Sequence, residues 1–343
     1  MTEHRKIPVP GTTAGKTSVE RALEGYSLGN LGGVTRSVSL PPAAPVRQVV
    51  AHTPVEQPLT RAVEATVQPP VAPAMPPVAT AMHRAETPMQ PVAKPVTFNA
   101  TLHPIDRKRL REQGLIVPEG SVTGLMEEFR IVKRQLLLQA NELRRSGGGN
   151  SAQRILICSP LPGEGKTYSS INLALAIAAE KENEVLLVDA DFAKPSVLST
   201  LGLPGGPGLM DALTDPSIDV AECVIGTDVP GLWVLPAGNA TNCDTEFLAS
   251  SHTRTVLDRL TEGAPQRIVI FDSPPALAAS PAAELAKYVG QAVLVARADR
   301  TGQGALEDAI SLLSACPNIQ LLLNAVHFSP SGRRFGSYYG YGG

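Results

Sequence analysis

One run of residues restricts the possible folds of this chain more than any other feature. The apolar segment 154–158 is followed by a loop, 159–167, that reads SPLPGEGKT and contains Gly163, Gly165 and Lys166. An apolar stretch of helical length begins directly after the loop. This order of strand, glycine-containing loop and helix surrounds phosphate groups with backbone N–H donors at the positive end of a helix. The run therefore predicts a P-loop that binds a nucleoside triphosphate.

The loop also supplies the candidate ligands of the nucleotide. Glycine lets the backbone approach the phosphates, Lys166 is expected to reach the β- and γ-phosphates, and the Thr167 hydroxyl is expected to ligate Mg²⁺. The strict pattern has glycine where this chain has Pro160, so the match is partial and its context of strand and helix supports it. The predicted nucleotide-binding residues are Pro162, Gly163, Glu164, Gly165, Lys166, Thr167 and Tyr168.

Two further apolar runs end in carboxylates. Segment 185–188 is followed by Asp189 and Asp191, and segment 268–271 is followed by Asp272 and a Pro-Pro pair. Strand ends in open α/β sheets point into the ligand crevice, where one carboxylate can hold Mg²⁺ and another can orient an attacking hydroxyl. Lys166, Asp189, Asp191 and Asp272 are thus the candidate catalytic residues, and Thr167, Asp189 and Asp272 the candidate metal ligands. A simple helix or turn cap is the alternative role of the paired carboxylates.

The rest of the chain alternates apolar strands and helical stretches in a βαβ rhythm. This predicts an α/β domain over residues 151–328, built on a doubly wound, mostly parallel sheet. The predicted strands are 154–158, 184–188, 232–235, 267–271, 292–296 and 319–323. The predicted helices are 166–182, 208–213, 245–262, 278–289 and 304–315, and two more precede the domain at 105–110 and 122–145.

Composition divides the remainder of the chain. Residues 1–103 contain mainly Pro, Ala, Val and Thr with few aromatics, which predicts a disordered arm, interpreted as a spacer rather than a ligand of a proline-binding module. Residues 104–150 are expected to form a helical segment ending in a glycine joint, and 329–343 a flexible Gly/Tyr tail. Ordered structure is predicted to begin near Pro104.

Charge and hydropathy exclude several classes of partner. The net charge is −2 and the isoelectric point about 6.3, so no nucleic-acid partner is indicated. No signal peptide is evident, and the longest apolar runs are far below the ~18 residues that span a bilayer. We therefore expect no direct membrane insertion, a cytoplasmic location, and any membrane role to depend on a partner.

Together these motifs resemble the bacterial tyrosine kinases, whose P-loop is related to that of the MinD and ParA ATPases. In that family a Walker A loop is followed by a strand ending D-x-D and a strand ending D-x-P-P, which correspond here to Lys166 with Thr167, to Asp189 with Asp191, and to Asp272. The resemblance implies ATP and Mg²⁺ as cofactors and tyrosine as the acceptor. It extends from about Pro104 to the C-terminus and is strongest to the autokinases that accompany the XrtA exosortase and exopolysaccharide clusters.

The resemblance also implies assembly and regulation. The helix residues Glu127, Arg130 and Lys133 are similar to an E-x-x-R-x-x-R motif through which subunits form a ring, and Tyr338, Tyr339 and Tyr341 are similar to an autophosphorylated tyrosine cluster. It further implies a separate, membrane-anchored chain-length-determinant or activator protein that recruits the chain to the inner face of the plasma membrane. The predicted process is exopolysaccharide or capsule polymerisation and export.

Other functions remain open at this point. A MinD- or ParA-like ATPase switch would need a signature lysine where this chain has Leu161, and a nucleotide-binding scaffold without transfer would fit Ala193, which replaces the usual arginine beside Lys194. The charged helix could be only a solvated face with i,i+3 and i,i+4 pairs, and the terminal tyrosines only an inert tail.

Overall fold

The computed structural model describes residues 96–98 and 101–326, which form a sheet flanked by helices. Its strands are β1 (Leu102–His103), β2 (Arg154–Cys158), β3 (Glu184–Asp189), β4 (Ile225–Thr227), β5 (Leu232–Leu235), β6 (Arg267–Asp272), β7 (Gln291–Arg297) and β8 (Ile319–Asn324). Its helices are α1 (Arg107–Glu112), α2 (Gly124–Arg145), α3 (Lys166–Ala178), α4 (Val197–Leu201), α5 (Leu209–Thr214), α6 (Asp244–Ala249), α7 (Ser251–Arg259), α8 (Pro281–Leu285) and α9 (Gln303–Leu312). None of the helices in these residues is long and apolar enough to cross a membrane.

The strands form one sheet in the order β1-β4-β5-β3-β6-β2-β7-β8. All neighbouring pairs are parallel except β4 with β5. Because β3, β6 and β2 are adjacent and parallel, their carboxyl ends meet at one edge. Asp189 pairs in register with Asp272, and Asp272 with Ile157 just before the P-loop. The predicted α/β class with a doubly wound, mostly parallel sheet is confirmed.

Two apolar cores cover the two faces of the sheet. In β2, Ile155 and Ile157 face the core that also contains side chains of α2 and α3, whereas Leu156 faces the core on the opposite side. Alternation of side chains along a strand places successive residues on opposite faces. A strand whose odd and even positions are both apolar is therefore buried on both sides, as its sequence indicates.

Strand predictions agree with the structure to within one residue at each end, and helix predictions agree less well. The predicted helix 245–262 is two helices, because Ser250 is extended at φ −69°, ψ 156° and separates α6 from α7. Of the predicted helix 278–289 only α8 is helical in the structure. The helix after the P-loop ends at Ala178 rather than at residue 182. The short elements β1, β4 and α4 were not predicted.

The packed structure begins earlier than Pro104, so that predicted boundary is wrong. Val96 and Phe98 are buried, and the Arg267 guanidinium lies 3.9 Å from the centre of the Phe98 ring while donating to the Val96 carbonyl at 2.7 Å. The residue pair of β1 extends the sheet beside β4. The predictions for residues 1–95 and for the tail with Tyr338, Tyr339 and Tyr341 lie outside the described residues.

Candidate active site

The P-loop joins β2 to α3 at the carboxyl edge of the sheet. Gly163 and Gly165 have φ of +79° and +95°, in the left-handed region that only glycine adopts without strain. A Cβ on Gly165 would lie 2.0 Å from Nδ2 of Asn324, whereas space around Gly163 is open. Gly165 is thus required by the packing beneath the loop, and Gly163 lies on the exposed side with Pro162.

Side chains from outside the loop fix its conformation. Glu164 is buried, and its carboxylate accepts the Leu161 N–H at 2.8 Å and a short hydrogen bond from the Thr301 hydroxyl. The Asn324 amide at the end of β8 donates to the Glu164 carbonyl at 2.8 Å. The predicted nucleotide-binding residue Glu164 therefore uses its side chain to hold the loop, and only its backbone remains for phosphate.

Lys166 forms an ion pair within the site. Its Nζ lies 2.9 Å from Oδ2 of Asp191, and both side chains are largely buried. The lysine is held at the start of α3, where the unpaired N–H groups and the helix dipole also favour an anion. Asp191 is thus the carboxylate that competes with a phosphate group for Lys166.

Asp189 occupies a different environment, although it lies only two residues away. Its side chain is 1% exposed, and Oδ2 accepts backbone N–H groups from Ser196 at 2.9 Å and Val197 at 3.0 Å, at the start of α4. The capping role left open by the sequence is therefore observed for Asp189. Burial raises its pKa to about 6, while these N–H donors oppose the rise.

Asp272 is the most buried acid of the site. It is fully inaccessible to solvent; Oδ1 accepts the Ser170 hydroxyl at 2.9 Å, and Oδ2 has no hydrogen-bond partner among the described residues. Burial raises the pKa of Asp272 to about 7, and the nearby Thr167 hydroxyl and Lys166 charge counteract this. An unpartnered carboxylate oxygen near a threonine hydroxyl suits a hard cation that prefers oxygen ligands. The residues present therefore fit Mg²⁺.

Tyr168 and the α2 residues Glu127, Arg130 and Lys133 make contacts within the chain. The Tyr168 hydroxyl donates to the Gly114 carbonyl at 2.9 Å, and burial raises its pKa, so this side chain joins α3 to the segment after α1. Glu127 and Arg130 form an i,i+3 ion pair on an accessible face of α2. Lys133 is instead buried. Its packing against α3 gives Lys133 a role within the chain, and its contribution to a subunit contact stays a prediction.

The contacts of Lys133 explain this burial. Its Nζ donates to the Ala176 carbonyl at 3.1 Å and lies 2.8 Å from a carboxylate oxygen of Glu180. Both partners belong to the end of α3 and the turn after it, so the ammonium is satisfied within one chain. Its alkyl stem adds to the packing between α2 and α3.

Sequence reasoning missed four residues of the site: Ser170, Ser196, Thr301 and Asn324. Ser170 lies one helical turn after Lys166, where a side chain returns to the same face. Thr301 follows β7, and Asn324 is the last residue of β8, at the same carboxyl edge as the three motifs. The rule that ligands bind at strand carboxyl ends could have identified both.

Comparison with known proteins places the chain among its relatives. The family model described as an AAA domain (AAA_31) matches residues 152–324. The tyrosine-protein kinase YwqD of Bacillus subtilis is 31% identical over 188 residues, which cover 55% of this chain and 76% of YwqD. The putative tyrosine-protein kinase EpsB of Ralstonia nicotianae is 33% identical over 190 residues, but these cover 54% of this chain and only 24% of EpsB. The chain thus spans about a quarter of the length of some curated relatives.

Solved structures agree with the fold. The kinase domain of the Escherichia coli tyrosine kinase ETK superposes with a TM-score of 0.51 at 20% identity, covering 67% of this chain and 93% of that one. The chimerical protein CapA2B2 gives a TM-score of 0.50 at 22% identity, covering 65% and 94%. At such identities the agreement concerns the architecture alone.

Proposed function

Because this chain belongs to the bacterial tyrosine kinase family, within the AAA-domain P-loop proteins, we propose that it transfers the γ-phosphoryl group of ATP to tyrosine. The observation that carries the proposal is the convergence of Lys166, Asp191 and Asp272 below the P-loop at one edge of the sheet. A cation and two distinct acids at this place are the parts that phosphoryl transfer needs for binding, charge neutralisation and alignment of an acceptor.

Each part has a separate role. Backbone N–H groups of residues 163–167 and the Lys166 ammonium would hold the triphosphate, which requires Lys166 to exchange Asp191 for a phosphate oxygen. Thr167 and Asp272 would hold Mg²⁺, which when bound neutralises charge on the phosphates. Catalysis then rests mainly on positioning and electrostatics.

The role of orienting the acceptor hydroxyl is best assigned to Asp191. The sequence favoured Asp189 for this role, but the oxygens of Asp189 accept N–H groups of its own chain. Asp191 accepts one backbone N–H, from Lys194 to Oδ1 at 3.2 Å, but its Oδ2 pairs with Lys166 and is freed as soon as a phosphate takes its place. It would then orient the tyrosine hydroxyl and accept its proton.

We propose Tyr338, Tyr339 and Tyr341 as the acceptors, and a ring of chains as the assembly in which one tail reaches a neighbouring site. Each phosphate adds about −1.5 to −2 charges, whose repulsion would loosen the ring. A membrane-anchored activator protein would recruit the chain to the inner face of the membrane, and polysaccharide export would be the regulated process. The names of the relatives support tyrosine as the acceptor, and the tail supplies three tyrosines.

The test is incubation of the full chain with Mg-ATP, with and without membranes from its own cells, followed by mapping of phosphotyrosine by mass spectrometry. We expect phosphate on the three tail tyrosines and none on Tyr168, whose hydroxyl is engaged within the domain. A Lys166→Met variant should lose the signal. The matched variant Lys181→Met, which removes an exposed lysine away from the loop, should keep it.

Release of ADP and free phosphate without phosphotyrosine under either condition would refute the kinase and leave an ATP-driven switch. If neither phosphotyrosine nor ADP forms and the chain does not bind nucleotide, both the kinase and the ATP-driven switch are refuted. Equal loss of phosphotyrosine in Lys166→Met and Lys181→Met would show that the assay does not report on the P-loop.

A further inference from the structure

A polar cavity lies at the opposite edge of the sheet from the P-loop. Its volume is about 250 Å³, and it is open to solvent on one side. It is formed where α2 ends, where β2 begins, and by one face of α7 with the turn before β7. The five residues of β2 separate it from the P-loop by about 16 Å. The cavity is therefore distinct from the proposed nucleotide site.

The lining combines a glycine wall with basic side chains. Gly147, Gly148 and Gly149 leave backbone without side chains on one side, and Arg154, Arg254 and Lys287 supply three positive charges. The lining contains one acid, Asp258. The Gly147 and Gly148 N–H groups already donate to carbonyls of α2, so the excess positive charge of the side chains is what suits this small concave site to an oxyanion.

The contacts show which charges are already compensated. Asp258 pairs with Arg154 at 2.5 Å, and Lys287 pairs with Glu284 at 2.6 Å. Arg254 forms no ion pair within residues 96–98 and 101–326; its guanidinium lies 5.7 Å from the centre of the Tyr288 ring. Arg254 is thus an exposed guanidinium held against an aromatic face, with its donors available.

Arg154 adds to the positive potential from the buried side of the cavity. Its side chain is 2% exposed, and its Nε has no hydrogen-bond partner among the described residues, although one terminal nitrogen contacts Asp258. Burial lowers its pKa, and the charge of Arg254 acts in the same direction. The two guanidinium groups lie close enough to repel each other, and within the part of the chain that the structure describes the carboxylate of Asp258 pairs with Arg154 alone, which leaves a deficit of negative charge at the cavity.

We propose that this cavity binds a free phosphate-type anion of one or two phosphoryl groups, held chiefly by Arg254. The guanidinium fork matches two oxygens of a phosphoryl group, and the ring of Tyr288 keeps the fork in place. The volume lies below the 300–1,000 Å³ typical of sites for larger organic ligands, which favours a compact anion. The proposal is independent of phosphoryl transfer at the P-loop.

The experiment is calorimetric titration of inorganic pyrophosphate at low ionic strength. Because a P-loop also binds phosphates, all titrations use Lys166→Met as the background. We expect that background to bind one equivalent, and Lys166→Met combined with Arg254→Ala to bind about tenfold more weakly or not at all. The matched control combines Lys166→Met with Arg111→Ala, which removes an exposed arginine of α1 outside the cavity lining, and should bind as the background does.

Binding that is unchanged by Arg254→Ala, or absent from the Lys166→Met background, would overturn the proposal. Equal weakening by Arg111→Ala and Arg254→Ala would also overturn it, because the effect would then reflect net charge rather than a site. Circular dichroism of each variant establishes that the fold is retained. Loss of kinase activity has no bearing on the outcome, since the background is inactive by design.

Discussion

Asp272→Asn should stabilise the nucleotide-free protein at alkaline pH while removing its response to Mg-ATP. Burial raises the pKa of Asp272 from 3.8 to about 7, and one pH unit of such a difference corresponds to about 1.4 kcal/mol. Ionisation in the folded state at pH 8 therefore costs up to about 4 kcal/mol. The asparagine amide would lack an acceptor at the position of Oδ2, which costs about 1–3 kcal/mol. A net gain of about 1–3 kcal/mol remains.

The sign of the pH dependence follows from the same values. Between about pH 4 and pH 7 the folded protein retains a proton on Asp272 that the unfolded chain has lost, so stability falls as pH rises through this window. The penalty is fully present above pH 7 and absent below pH 4. Asp272→Asn should accordingly exceed the wild type in stability at pH 8 and lose that advantage at pH 4.5.

Scanning calorimetry in EDTA at both pH values measures this effect. For a domain of this size the expected gain at pH 8 is roughly 2–10 °C in the unfolding temperature. Asp308→Asn, at an exposed position of α9, should match the wild type at both pH values. With Mg-ATP added, only the wild type should shift upward, since a ligand stabilises the state that binds it. A variant less stable than the wild type at pH 8, or a difference that is the same at both pH values, would refute the reasoning.

Three further outcomes follow from the geometry. Gly165→Ala should weaken binding of Mg-ADP by more than about tenfold in calorimetric titration, because its Cβ would clash with the Asn324 amide, whereas Gly304→Ala, which meets open space, should bind normally. Asp189→Ala should lose about 1–2 kcal/mol in urea unfolding at about pH 4, where the ionisation penalty that its raised pKa implies is absent, because α4 loses its cap; unchanged stability at that pH would contradict this role. Lys133→Met should lower stability by about 1–3 kcal/mol without changing the sedimentation coefficient, and a change in assembly alone would support its predicted intersubunit role instead.

Strands and motif positions could be predicted from the sequence because they depend on local apolar runs. The run before Asp189 and the run before Asp272 are buried on both faces, so their ends had to meet at one edge. Helix ends depended on backbone geometry at single residues. Ser250 adopts an extended conformation that no periodicity reveals, and it divides a helix predicted as continuous.

The separate roles of the residues within the site were harder to predict from the sequence. Asp189 and Asp191 are two residues apart and chemically identical, yet one caps α4 and the other pairs with Lys166. Only the position of α4, a five-residue helix too short to show periodicity, decides between them. The same applies to Lys133, whose burial depends on how α2 packs against α3. Spacing identifies a face of a helix, but not the chain that this face contacts.

The two lateral edges of the sheet differ in their capacity to pair with another strand. On one side β1 contributes only two residues, a length that offers little template for pairing. On the other side β8 runs for six residues with Leu321 and Leu323 exposed, and no strand of the described region pairs with its outer side. Strand addition that leads to aggregation should therefore occur at the β8 edge rather than at the β1 edge. Because β8 ends in the Asn324 that supports the P-loop, a lysine in place of Leu321 would protect the edge while leaving the anchor of the loop intact.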